Sequence, residues 1–100
     1  MSEFSHSFTS KNKPGFSLGQ TYFTKNAFDT LDHADAFAAL QQHGRGDWGE
    51  CGEEDWQSNE EALSNKDRLF SVYRDRNDRR FWIITEADRS GTTILLPEDY

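Results

Sequence analysis

The sequence predicts an α+β domain: an N-terminal strand, two to three helices, then a three-stranded antiparallel meander with the helices packed on one sheet face. Three observations carry this. Residues 24–43 hold two helix-start signals, Thr24 and Asp32, each followed by a helix-compatible run. Residues 69–96 change period and become rich in β-branched and aromatic residues. Two tight polar turns, Asp75-Arg76-Asn77-Asp78 and Asp88-Arg89-Ser90-Gly91, divide that last third into three strands.

In chain order, residues 1–15 are polar, end in Pro14-Gly15 and show no sustained period. They read as a flexible tail with a turn at its end, leaving 16–100 as a single domain. Phe16 to Phe23 reads as a strand, weakened by Gly19. Thr24 caps a short helix over Lys25–Leu31. Asp32 caps a second over His33–His43, with Asp35 in the capping-box position. Ala36, Phe37 and Leu40 form its apolar face, and Gly44 stops it. Residues 44–52 contain four glycines around Trp48, too many for a comfortable helix or strand, and form a loop. A third helix runs from Glu53 to Ser64. Its first-turn acids suit the helix dipole, and Trp56, Asn59 and Leu63 share one face. Leu69–Tyr73, Arg80–Thr85 and Thr92–Leu96 are the strands of the meander. In the middle one Phe81 and Ile83 share one face, Trp82 and Ile84 the other, so both faces read as partly covered.

One hundred residues is the size of one domain. The apolar share is only 34%, but 14% of the chain is aromatic, which supplies enough buried area for a core. A single cysteine, Cys51, asks for no oxidising compartment. No apolar run approaches a membrane span, and the start of the chain lacks signal-peptide features, so a cytoplasmic, non-membrane protein is expected. A net charge of −7 opposes direct nucleic-acid binding. That charge is uneven. Residues 47–61 hold seven acids and no Lys or Arg, whereas residues 68–89 hold six arginines against four acids.

The segments His43-Gly44-Arg45-Gly46-Asp47-Trp48-Gly49, Glu54-Asp55, Asn59 to Leu63, Phe81 to Ser90 and Thr92 to Tyr100 resemble a family of small bacterial proteins described as plasmid-related or hypothetical. Some of these carry a restriction-system subunit label. The resemblance spans residues 16 to 100 and implies a bacterial mobile-element setting and a compact α+β domain. It brings no catalytic residue and no cofactor with it. The chain is too short for a methyltransferase subunit and lacks its motifs.

No residue pattern spells out a chemistry. The glycine-rich loop follows a helix and opens into Glu53-Glu54-Asp55, the reverse of a phosphate cradle. His43, Asp47, Glu50, Cys51 and Glu54 are metal-ligand types, but a lone Cys without paired His does not make a structural zinc pattern. Solvated acids, with His43 capping its helix, explain the same residues. Cys51 among acids is an ordinary thiol. No catalytic residue, metal or cofactor is therefore assigned. The expected function is that of a non-catalytic accessory protein acting through protein contacts. Its binding surface is placed on Arg45, Asp47, Trp48, Glu50, Glu54 and Asp55, with Asp88 and Arg89 beside it. A tryptophan set among glycines has reason to be there only if it is buried or bound. Two alternatives stand: an acidic, DNA-mimicking inhibitor of a host defence protein, and a small enzyme with its site at the loop. The partner is another protein, and a homodimer through an exposed sheet edge is open to this fold.

Overall fold

The computed structural model describes residues 16–100. The expected tail and the turn at Pro14-Gly15 lie outside the described residues. The elements are β1 (Gln20–Phe23), α1 (Lys25–Thr30), α2 (His33–Gly44), α3 (Glu53–Asn65), β2 (Leu69–Arg74), β3 (Arg80–Thr85), β4 (Gly91–Leu95) and a closing 3-10 turn, Pro97–Asp99. The α+β class holds. The three-stranded meander is incomplete as a description, because the sheet is mixed and four-stranded, in the order β1-β4-β3-β2. β2, β3 and β4 pair antiparallel, and β1 runs parallel to β4, with Gln20 opposite Gly91 and Phe23 opposite Ile94.

Local chemistry explains the helix starts. The Thr24 hydroxyl accepts from the Ala27 N–H at 3.1 Å, and Asp32 Oδ1 accepts from the Asp35 N–H at 3.0 Å. α3 begins at Gly52 without a side-chain cap, and Glu53, Glu54 and Asp55 in its first turn meet the positive end of its dipole instead. The buried stripe of α2 is Ala36, Ala39 and His43, with Leu40 beside it. Phe37, expected on that face, is half exposed. One residue advances 100° around a helix, so position 37 leaves the stripe that 36, 39 and 43 define. Gly44 closes α2 from within its last turn, and Arg45 is the C-cap.

One sheet face carries Leu69, Ser71, Tyr73, Phe81, Ile83, Thr85, Thr92 and Ile94, all buried. α1 and α2 pack there through Ala27, Leu31, Ala36 and Ala39. A second cluster joins Trp48, Ala62 and Leu69, with Phe16, Trp56 and Leu63 around it. The opposite face carries Phe70, Val72, Trp82, Ile84, Thr93 and Leu95, and no helix among the described residues packs on it. Ile84 and Leu95 on it are nonetheless buried, at 5% and 6% exposure, so the partial covering expected for that face holds, but no described helix supplies it.

The two sheet edges differ. β2 is closed off. The Asn59 amide, 3% exposed, donates to the Phe70 carbonyl at 2.6 Å and accepts from the Phe70 N–H at 3.0 Å. Beside it the Val72 N–H donates to the Trp48 carbonyl, the Glu50 N–H donates to the Val72 carbonyl, and Gly49 forms a parallel bridge to Val72. Gly49 sits at φ 71°, and a Cβ on it would lie 2.1 Å from the Val72 oxygen. Gly49→Ala is accordingly expected to destabilise the domain by about 3 kcal/mol or more, since left-handed strain adds to a backbone clash. Chemical denaturation of the variant measures this.

Candidate functional site

The eight residues expected to form a binding surface do not gather around one pocket. Trp48 is fully buried. Its ring stacks on Phe16 at 6.2 Å, meets His43 edge-on at 5.4 Å, and its indole N–H donates to Glu60 at 2.9 Å. This corrects its reading as an exposed anchor: the loop holds an aromatic residue because that residue completes the core. Asp47 organises the loop, accepting from Gln42 Nε2 at 3.1 Å and from the Gly49 N–H at 3.2 Å. Its carbonyl accepts from the Tyr73 hydroxyl at 2.5 Å. Burial pushes the Tyr73 phenol well above its ordinary range.

Glu50 is paired with Arg74 at 3.0 Å. Arg45, Glu54 and Asp55 are exposed. Asp88 accepts from the Ser90 N–H at 3.0 Å within its turn, and hydrogen bonds from the Ser90 side chain, first, and from its N–H hold the Asp88 carboxyl below the usual range. Arg89 is a structural clasp. It donates to the carbonyls of Ala62 at 3.0 Å and Asp67 at 2.6 Å, tying the β3–β4 turn to the end of α3. Its guanidinium lies 5.8 Å from the Phe16 ring. The sequence foresaw a structural turn there, but not the helix end it fastens.

His43 is buried, not a solvent-facing cap. Its surroundings fix its tautomer. The Thr92 hydroxyl donates to the Leu18 carbonyl at 2.7 Å, so at 2.7 Å it accepts from Thr85. Thr85 has then used its proton, so at 2.8 Å it accepts from His43 Nε2–H. Nδ1 is left to accept from Ser71 at 2.5 Å. The ring is neutral, its pKa pushed down to about 3 by burial and, secondarily, by the Arg89 charge. Ser71 beside His43 has the residue types of a nucleophile and its base, but both are 0% exposed, so no substrate reaches them. The group works as a satisfied polar strut between α2 and the sheet.

Cys51 donates to the Phe70 carbonyl at 3.3 Å, and burial raises its thiol to about 11, the reverse of an activated nucleophile. Among the described residues no group of three or more His, Cys, Asp or Glu is placed to hold a metal ion. Nor is any helix among them long and apolar enough to cross a membrane.

The feature the sequence did not disclose is the open sheet face. Phe70 meets Trp82 edge-on at 5.1 Å, and Trp82 meets Tyr100 at 5.6 Å, giving a run of aromatic rings. The Pro97–Asp99 turn delivers Tyr100 there. Asp99 fastens that turn by accepting from Thr24 at 2.6 Å, Asn26 at 2.8 Å and the Leu96 N–H at 3.0 Å. These rings, with Leu69, Ile84 and Arg68, line an apolar groove of about 270 Å³. The Arg68 guanidinium stands at its rim, 5.9 Å from the Tyr100 ring and 3.7 Å from Glu86. The alternation Phe70, Val72 and Trp82, Ile84 was the available signal: it marks a second apolar face that the helices do not reach.

Comparison with family models, with curated proteins and with solved structures gives no match.

Proposed function

We propose that this domain is a non-catalytic protein-binding module, with its docking surface on the open sheet face. The partner presents one large apolar side chain to the Phe70–Trp82–Tyr100 groove and a carboxylate to Arg68. The observation that supports this reading is the groove itself: it is apolar, of side-chain size, and edged by one cation. Such a combination of aromatic residues and arginine is typical of energetic centres in protein interfaces. The mobile-element setting implied by the family resemblance suits an accessory protein of this kind, one that acts on another protein without chemistry of its own.

The test is cross-linking mass spectrometry in the source cells with a photoreactive group beside the groove, comparing the native chain with Trp82→Ala and Arg68→Glu. Trp82→Ala is expected to weaken partner capture at least tenfold, the cost of about 1.4 kcal/mol or more that truncating an interface anchor carries. Arg68→Glu is expected to weaken it further by repelling the carboxylate. Capture unchanged by both substitutions, in chains whose circular dichroism is native, overturns the reading.

A further inference from the structure

The two sheet edges are treated unlike each other, and the difference has a direction. β2 is sealed by Asn59 and the Trp48–Glu50 segment. β1 is not. The Gln20 and Thr24 N–H groups both point at β4, donating to the carbonyls of Ser90 and Ile94. The alternation of a strand then turns the N–H and C=O groups of Thr21 and Phe23 outward. No described residue bonds to them. Sheet edges that must stay single are usually defended by lysine, proline, a bulge or a covering segment. Gln20-Thr21-Tyr22-Phe23 has no charge and no proline.

Half-exposed aromatic residues flank this edge on both sides. Tyr22, 52% exposed, projects on the open face. On the helix side Phe23 meets Phe28 at 5.5 Å and Phe37 at 6.0 Å, both edge-on, while Phe28 and His33 lie 4.4 Å apart. Phe28 and Phe37 are each 52% exposed. A hydrogen-bonding edge between two apolar margins is the shape that receives another strand.

We propose that the occupant is a second copy of this chain, its β1 antiparallel to the first across a two-fold axis. The register follows from the outward groups. Thr21 pairs with Phe23 of the partner copy and Phe23 with the partner copy's Thr21, each pair exchanging two hydrogen bonds. The axis passes between the two Tyr22 residues, which face one another as a non-hydrogen-bonded pair, about 4.5 Å apart at Cα. The strand is self-complementary because it is uncharged. In a copy carrying −7, residues 20–23 themselves bear no charge that would repel their counterparts.

The area sets the strength. Three half-exposed rings, each of roughly 150–250 Å² when fully accessible, offer about 300 Å² of aromatic surface per copy. A standard interface needs roughly 800 Å² per partner. The pair is therefore weak and concentration-dependent, dissociating at tens to hundreds of micromolar.

Sedimentation equilibrium of the full chain from about 10 µM to about 1 mM, with amide hydrogen exchange at both ends of that range, is the test. The expected result is a reversible monomer–dimer equilibrium in which the Thr21 and Phe23 amides become protected as concentration rises. Thr21→Pro removes an outward N–H that no described residue uses, and is expected to leave a native monomer at every concentration. Should proline unfold the chain, Thr21→Lys places a solvated charge on the same edge and carries the same expectation. A monomer throughout the range overturns the proposal. So does a dimer that both substitutions leave intact, or one abolished by Trp82→Ala, which would place the contact on the open face.

Discussion

Replacing Trp48 with alanine is expected to remove about 3–5 kcal/mol of folding stability. That is a large part of the roughly 5–15 kcal/mol that holds a domain of this kind together. The indole is fully buried, packs against Phe16, Ala62 and Leu69, and donates its N–H to Glu60. Truncation leaves a cavity the size of a double ring and removes the indole N–H that donates to Glu60. It also loosens the segment that pairs with β2, because the Trp48 carbonyl receives the Val72 N–H. Urea unfolding followed by circular dichroism measures the loss. A change within about 0.5 kcal/mol, the usual scale for a surface position, would contradict the core role assigned here.

The second large effect is a loss of stability in mild acid, traced to His43. In the folded chain the ring is held neutral, with its pKa at about 3, against 6.5 for the free side chain. Below pH 6.5 the unfolded chain therefore binds a proton that the folded chain refuses. Stability contributed by the neutral ring is complete above that pH and falls as pH drops towards 3, at about 1.4 kcal/mol per pH unit. Over the whole window the loss is of the order of 4–5 kcal/mol. Asp35, Asp75, Asp88 and Asp99 are all held below the ordinary carboxyl value of 3.8, so their contributions fade only at the acid end of this range. Denaturant titrations between neutral pH and about pH 4.5 isolate the histidine. His43→Gln, which keeps a donor and an acceptor for Thr85 and Ser71, is expected to start less stable and to show a nearly flat profile there. A native slope that survives the substitution would assign the effect to another group.

What could be read from the chain follows the range of the interactions involved. Thr24 and Asp32 were legible because a cap is satisfied three residues away. Asp75 was legible as part of a turn, but not in its full role. It accepts from the N–H groups of Asn77 and Arg79 nearby and also from that of Asp32, across the fold. Burial works against its ionisation, yet these N–H groups keep its carboxyl below the usual range. The pairing of β1 with β4 joins residues about seventy positions apart and leaves no local signature.

The polar strut was hidden for a related reason. Ser71, Thr85 and Thr92 look ordinary one at a time in β-rich segments. Only their shared place on the buried face, opposite a histidine on the buried stripe of α2, gives them meaning. Trp48 shows the limit from the other side. Its setting among glycines calls for burial or binding, the sequence reading places it on the binding surface, and packing against Leu69 and Ala62 decides for burial.

The amide of Asn59 and the short backbone run beside it close one flank of the sheet. Their consequence reaches beyond the monomer. Fibrous growth requires every added unit to expose a fresh templating margin. Among the described residues the β1 flank has no such stopper, so a unit that joined a second copy through it would turn stoppered flanks to the solution. On the two-copy arrangement proposed above, growth by addition at sheet flanks would stop at the couple.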